Sequence, residues 1–331
     1  MGATLTEVAQ AAGVSLATAS RAFKDPDRLA GATRARVLKA AADLDYNTHT
    51  SSSARTFAVV VPDAANPIFA ALTAAIQEQA WAGGHHVLLY NTSEHPSVEA
   101  DVLRSLPATV SGVILASPRL AAKELTTAIG STPLVVINSG VTFCMSVLLD
   151  VDTGIEQAFE HLFALGHRHV AYAPGPRSAW ANQRRDELIR ACAERWAMKL
   201  DVVGHQAASV DGGLAAAASV VASGASAVIA YNDLVALGVR AGARALGKEC
   251  PRDLSIVGID DLNVAAVSEP SLTTVRVDIT DGGVRAYQIL ADVVSGKVID
   301  AGPEHRPSQL IVRHSTALAP GTGDLRRESH A

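Results

Sequence analysis

Ten short runs rich in Val, Ile and Leu recur along most of the chain and constrain its fold more than any other feature. They begin with "FAVVV" (57–61), "HVLLY" (86–90), "GVILA" (112–116), "LVVIN" (134–138) and "SVLLD" (146–150). "HVAYA" (169–173), "DVVG" (201–204), "AVIAY" (227–231), "SIVGI" (255–259) and "TTVRV" (273–277) follow. Helix-period stretches such as "GIEQAFEHLFALG" lie between them. Strand and helix in alternation predict βαβ units and parallel sheets covered by helices on both faces. The residues are 48% hydrophobic but only 4% aromatic, so the interior is built from Ala, Val, Leu and Ile, which suits a doubly covered sheet. About 260 residues of this pattern exceed one open sheet of ordinary size, which predicts two lobes.

Residues 4–45 read differently, as three short helices. "TLTE" places Thr4 three residues before Glu7, the spacing of a capping box, and Gly13 suits the residue just past a helix end. Ser15 is placed to cap a second helix that runs to Lys24, where "DPD" breaks it. Thr33 is placed to cap a third, with Val37, Leu38, Ala41 and Leu44 on one stripe. Helix, Gly-containing turn and helix together make the helix-turn-helix pattern. Residues 47–56, "NTHTSSSART", are polar without periodicity and read as a linker.

The net charge of −5 hides an asymmetry: residues 1–56 carry +2 and the remainder −7. A basic head on an acidic body fits DNA contact through the head alone. With no apolar run after Met1 and none approaching a membrane span, a soluble, cytoplasmic protein is expected. Cys144, Cys192 and Cys250 lie far apart and read as free core thiols, with no metal site. No dinucleotide or phosphate-loop motif occurs, nor H-E-x-x-H, nor a nucleophile elbow at a strand-to-helix turn. His85, His86, His167 and His169 lack ligand-spaced partners and read as surface or helix-end residues. The residues therefore point to a binding protein without cofactor or metal rather than to an enzyme.

Polar residues recur at the strand ends: Asp63, Asn91, Asn138, Asp150, Asn232-Asp233 and Asp260-Asp261. In open α/β sheets that position lines a ligand crevice, although Asp and Asn also cap helices there. Neighbours on a strand face opposite ways, so Asp260 and Asp261 are not expected to serve one site.

The segment "TLTEVAQAAGVSLATASRAFKDPDRLAGATRARVLKAAADLDY" resembles the DNA-binding head of the lactose-repressor (LacI/GalR) family of bacterial transcription regulators. The resemblance continues through "VVVPDAANPIFAAL", "FALGHRHVAYAPGP", "AVIAYNDLVALGV", "LSIVGIDD", "SLTTVRVD" and "RPSQLIVRHSTA". It implies a helix-turn-helix domain over 1–46, a hinge over 47–56 and a two-lobed body of periplasmic-binding-protein type over 57–318. Lobe one would hold about 57–149 and 278–305, and lobe two about 150–277 and 306–318, with a disordered tail over 319–331.

The resemblance also implies roles. The second helix lies in the DNA major groove, with Thr4, Ser15, Thr18 and Ser20 among the DNA contacts and Arg21 reading guanine. Leu16 and Ala17 offer apolar contact where the family varies its preference, while Val14 and Ala19 belong to the small core beneath. Lys24 and Arg28 extend the phosphate footprint. In the body, Arg185, Asp260 and Asn232 match effector contacts, Asp63 and Phe69 face the cleft from lobe one, and Trp180 either stacks on a ligand ring or packs as core.

The expected function is a repressor whose affinity for a pseudo-palindromic operator is set by a small sugar or nucleoside-like effector. The alternative is a sugar-binding transport-type protein, which the amino-terminal helices disfavour. The hinge departs from the family: Tyr46 is followed by Asn47-Thr48-His49, and Phe57 belongs to the first strand. Ser and Thr are poor residues for a helix interior, so an ordered hinge helix is not expected there. The tail lacks apolar heptads, which leaves a homodimer as the expected assembly.

Overall fold

The computed structural model describes residues 3–24, 29–44, 46, 54–297 and 303–320. Two compact units divide the chain: Met1–Thr56 with Trp81–His86, and Phe57–Ala80 with Val87–Ala331.

In the first unit, helix α1 (Leu5–Ala11) opens on the capping box its sequence predicts. The Thr4 N–H donates to Glu7 Oε2 at 2.6 Å and the Glu7 N–H returns to Thr4 Oγ1 at 3.3 Å. Helix α2 (Leu16–Lys24) is capped by Ser15, whose Oγ accepts the Thr18 N–H at 3.1 Å. Helix α3 (Gly31–Asp43) starts two residues before Thr33, which corrects the expected cap. The Thr33 N–H already donates to the Ala30 carbonyl at 2.9 Å, so it lies inside the first turn. The buried face of α3 is Val37, Ala40 and Ala41, whereas Leu38 and Leu44 are exposed, contrary to the expected stripe. That buried face meets a small core of Val8, Ala9, Ala12, Ala19 and Ala22.

The second unit holds two sheets. Its chain continues through β1 (Thr56–Val61), α4 (Pro67–Ala82), β2 (His86–Asn91), α5 (Pro96–Arg104), β3 (Val110–Ala116), α6 (Ala122–Ile129), β4 (Leu134–Ile137) and β5 (Met145–Leu149). Next come α7 (Asp152–Ala164), β6 (His169–Ala173), α8 (Trp180–Arg195), β7 (Lys199–Val202), α9 (Val210–Ser223), β8 (Ala227–Ala230), α10 (Asp233–Ala245) and β9 (Ser255–Asp260). It ends with α11 (Asn263–Val267), β10 (Thr273–Arg276), α12 (Ile279–Val294), β11 (Glu304–Arg306) and β12 (Gln309–Ile311).

The strand orders are β11-β5-β4-β3-β1-β2 and β12-β10-β9-β8-β6-β7. Pairing is parallel from β3 through β4 and β5 to β11, and from β7 through β6, β8 and β9 to β10. β12 alone among the described pairs runs antiparallel, with Thr274 opposite Ile311, a common departure at the edge of a parallel sheet. The chain passes between the sheets after β5, after β10 and between β11 and β12. Strands buried on both faces, such as β1 and β9, match the near-continuous apolar runs that predict them.

Phe57 is fully buried in β1 and packs edge-on to Tyr287 of α12, as expected of a strand residue. Residues 47–53 of the hinge lie outside the described residues. Two expectations are corrected. His167 is buried, not at the surface: its ring meets Ser226 Oγ at 2.8 Å and Ser255 Oγ at 3.0 Å, and burial lowers its pKa. Ala319 is also buried, its N–H donating to the Leu165 carbonyl at 2.9 Å, so order extends past Leu318; residues 321–331 lie outside the described residues. The three cysteines are free, with Cys192 buried and the others half-buried. Burial pushes their thiols up, to about 11 for Cys144 and about 12 for Cys192 and Cys250, which keeps them protonated.

Candidate functional site

Between the carboxyl ends of the two sheets lie two adjoining chambers that share Asn138, Leu149, Ala181 and Arg185 in their walls. The inner holds about 40 Å³ and the outer about 350 Å³. Each sheet sends one arginine–carboxylate pair into the inner chamber. From the second sheet, Arg185 of α8 donates from Nη2 to Asp260 Oδ1 at 3.3 Å, with the two side chains 7% and 6% exposed. Arg185 also donates to the Tyr231 carbonyl and stands 4.6 Å over the Tyr231 ring. Its Nε is buried and has no hydrogen-bond partner among the described residues. Leaving such a donor unmet is costly unless something else accepts from it.

From the first sheet, Arg119, just past β3, donates from Nε to Glu94 Oε2 at 2.5 Å and is only 2% exposed. The buried Glu99 carboxylate fixes this loop by accepting the N–H of Arg119 at 2.9 Å and of Leu120 at 3.1 Å. Burial raises the pKa of Glu99 even so.

The backbone is strained around the same chamber. Seven described non-glycine residues have positive φ, and four of them line it: Glu94 (64°), Ser117 (45°), Asn138 (56°) and Asp260 (118°). Each costs roughly 1–3 kcal/mol, and such residues concentrate where function demands a fixed geometry.

Behind Asp260 lies a second acid. Asp233 is fully buried, accepting the Thr274 hydroxyl at 2.5 Å and the Leu262 N–H at 2.7 Å. Burial, with the charge of Asp260 beside it, pushes the Asp233 carboxyl up to about 8. Burial likewise raises Asp260 to about 6, against the pull of Arg185. Asp261 turns the other way, to Arg276 at 2.6 Å and Arg313 at 2.6 Å.

The expected effector residues divide. Arg185, Asn232, Asp260 and Phe69 line the inner chamber, and Trp180 lines the outer. Asn232 also caps α10 through the Val235 N–H at 2.9 Å, so capping and lining coexist. Trp180 is the first residue of α8, not part of the preceding loop. Asp63 lines neither chamber, and its Oδ1 accepts the Ala65 N–H at 2.9 Å in a local turn. Glu94 and Arg119 were missed. The available signal was a charged residue just past a parallel strand, the rule that did single out Asp260.

In the head, α2 buries Ala19 and Ala22 and turns Leu16, Ala17 and Arg21 to solvent, Leu16 being 51% exposed. Thr4 and Ser15 are exposed, Thr18 and Ser20 half-buried, and the Ser15 and Thr18 hydroxyls are 2.8 Å apart. Val14 is half-buried against the head core. Lys24 closes α2, but its side chain and all of Arg28 lie outside the described residues. No group of three or more metal-ligating side chains occurs among the described residues.

A helix-turn-helix unit and a two-sheet body with a polar crevice are the architecture of a DNA-binding regulator. A family model described as bacterial regulatory proteins, lacI family, matches residues 4–49, and one for a periplasmic binding protein-like domain matches 159–316. The chain is 30% identical to the HTH-type transcriptional regulator reg1 of Streptomyces lividans, over 96% of this chain and 97% of that one. A LacI family transcriptional regulator from Enterococcus faecium, solved with bound ribose, is 26% identical with a TM-score of 0.72, over 80% of this chain and 99% of its own. A Lac repressor dimer bound to operator and an anti-inducer shares the fold at 24% identity and a TM-score of 0.79, over 96% of this chain and all of its own. The chain belongs to the lacI family of bacterial transcriptional regulators. Its relatives are regulators and not enzymes, and no described helix is long and apolar enough to cross a membrane.

Proposed function

We propose that the chain is a homodimeric, cytoplasmic repressor whose affinity for a pseudo-palindromic operator is set by a sugar or nucleoside-like effector held between the two sheets. The observation that carries this reading is the convergence of two arginine–carboxylate pairs, the half-buried Arg119–Glu94 and the buried Arg185–Asp260, on one strained chamber. A ring hydroxyl both donates and accepts, so it satisfies a carboxylate and a guanidinium at once, and charge-assisted bonds of this kind are the strong ones.

Leu16, Ala17 and Arg21, exposed on α2, form the base-reading surface, with Thr4, Ser15, Thr18 and Ser20 on phosphates and Lys24 and Arg28 adding charge. Exposed Leu88 and Leu89 on edge strand β2, and Val264 and Val267 on α11, supply apolar surface of the kind that pairs two copies. Two heads on one dimer then read a two-fold site.

Thermal shift across sugars, nucleosides and purines, with Asp260→Ala as control, tests the effector role. A ligand at 100 times its Kd adds ~2.7 kcal/mol of stability. A shift shared by the variant places the ligand elsewhere.

A further inference from the structure

Charge and space in the two chambers narrow the effector class beyond that reading, on which this inference rests. In the inner chamber Arg119 is paired with Glu94, and Arg185 with Asp260. In the outer, Arg184 meets Asp152 at 2.5 Å and His305 meets Asp150 at 2.7 Å, while Glu187 stands 3.9 Å from Arg184. Among the described lining residues, every arginine and histidine already has a carboxylate partner. A phosphate or carboxylate on the ligand would therefore meet no uncompensated cation and would face the carboxylates of the outer wall. Displacing Arg185 from Asp260 would leave that carboxylate buried and unpaired, which is costly.

Space argues for more than one ring. The inner chamber, at about 40 Å³, has room on the order of three water molecules, enough for the hydroxyl edge of a ring but not for the ring itself. The outer chamber, at about 350 Å³, alone reaches the lower end of ordinary small-molecule pockets, ~300–1,000 Å³. A single sugar anchored by its hydroxyl edge would leave much of that space to water.

Trp180 gives the outer wall an aromatic surface. A Cβ at Gly140 would stand 2.6 Å from Trp180 Nε1, so only glycine lets the backbone after β4 come this close to the indole edge. Trp180 is nevertheless half-buried, with part of its ring left in the chamber wall. Indole faces suit the flat apolar face of a sugar and the face of a base alike.

We infer that the effector is an uncharged glycoside of two rings. The hydroxyl edge of one ring bridges Arg119–Glu94 and Arg185–Asp260, and the second ring fills the outer chamber beside Trp180. Disaccharides and nucleosides share this chemistry.

Isothermal titration of the full chain separates them. One arm holds maltose, cellobiose, lactose, trehalose, sucrose and melibiose, and another adenosine, cytidine and uridine. The lone sugars glucose, galactose, fructose and ribose, with anionic glucose 6-phosphate and glucuronate, complete the set. The expected result is a two-ring ligand that binds at least about tenfold more tightly than its own free sugar. Trp180→Ala collapses that ratio toward one, Trp180→Phe largely restores it, and Arg119→Met weakens ligand and free sugar together. The arm that binds identifies the second ring as sugar or base. A free sugar as tight as its glycoside, or a tighter anionic ligand, overturns the inference and leaves the effector reading standing. Silence from every class removes both.

Discussion

Arg185 and Asp260 are held 3.3 Å apart with almost no exposure, and Asp260 adopts a φ of 118° to get there. A buried ion pair of this kind is weak evidence for stability, because desolvation cancels much of the attraction. Its cost, together with the backbone strain, makes sense if the pair is kept for what it binds.

Arg185→Met breaks the pair from one side and leaves Asp260 beside buried Asp233 with no cation between them and solvent. Loss of one partner of a buried pair costs about 3–5 kcal/mol. Asp260→Asn keeps the shape and leaves an amide oxygen for Arg185 to donate to, so it costs less. Urea unfolding of both variants checks the order; equal losses would mean that the amide does not stand in for the carboxylate.

Stability also depends on pH through these acids. Folded Asp233 titrates at about 8 and Asp260 at about 6, both above the ordinary 3.8, so between those values the folded chain binds protons that the unfolded chain has released. Their contribution is fully present below about pH 4 and is lost as pH rises through 6 and then 8. Asp233→Asn therefore flattens the fall in melting temperature between pH 5 and 8. An unchanged slope would show that Asp233 is already ionised at pH 5.

Helices α9 and α10 touch backbone to backbone, since a Cβ at Gly213 would lie 2.1 Å from the Val235 carbonyl oxygen and one at Gly238 the same distance from that of Val210. By helix propensity alone Gly213→Ala gains about 1 kcal/mol. The clash, with backbone that cannot swing aside, outweighs this and costs at least the ~1–3 kcal/mol of ordinary overpacking. Stabilisation on calorimetry would contradict the close approach.

In the head, Arg21→Ala is expected to weaken specific binding by ~1–3 kcal/mol while barely changing affinity for random DNA. Leu16 is exposed, so Leu16→Ala leaves the melting temperature nearly unchanged and alters base preference instead. Binding to selected and random duplexes, measured side by side, distinguishes these effects from a uniform loss through phosphate contact.

How much the sequence discloses varies with the kind of interaction. Apolar runs such as "FAVVV" and "SIVGI" announce β1 and β9, because burial on both faces leaves little room for polar residues. Local caps at Thr4 and Ser15 are equally legible, since partner and spacing lie in one short stretch. The exposed Leu38 and the buried His167 are not, because each depends on what distant segments bring to it. In the site, Arg185 and Asp260 lie 75 residues apart and become partners only through the fold. Arg119–Glu94 has no local signature, and neither does the positive φ at Ser117. Asp63 stands at a strand end as well, but its Oδ1 accepts the Ala65 N–H of the following turn, a contact that strand-end position alone does not disclose.

On the proposed function, a small molecule bound at Arg185–Asp260 controls DNA binding. The most direct test is fluorescence anisotropy of a duplex selected from a random library, titrated with the full chain with and without the effector identified by titration. The expected result is a change in DNA affinity of about 5–150-fold, the usual size of such coupling, in the native chain and none in Asp260→Ala. An effector that binds without changing DNA affinity, or that changes it equally in the variant, contradicts it.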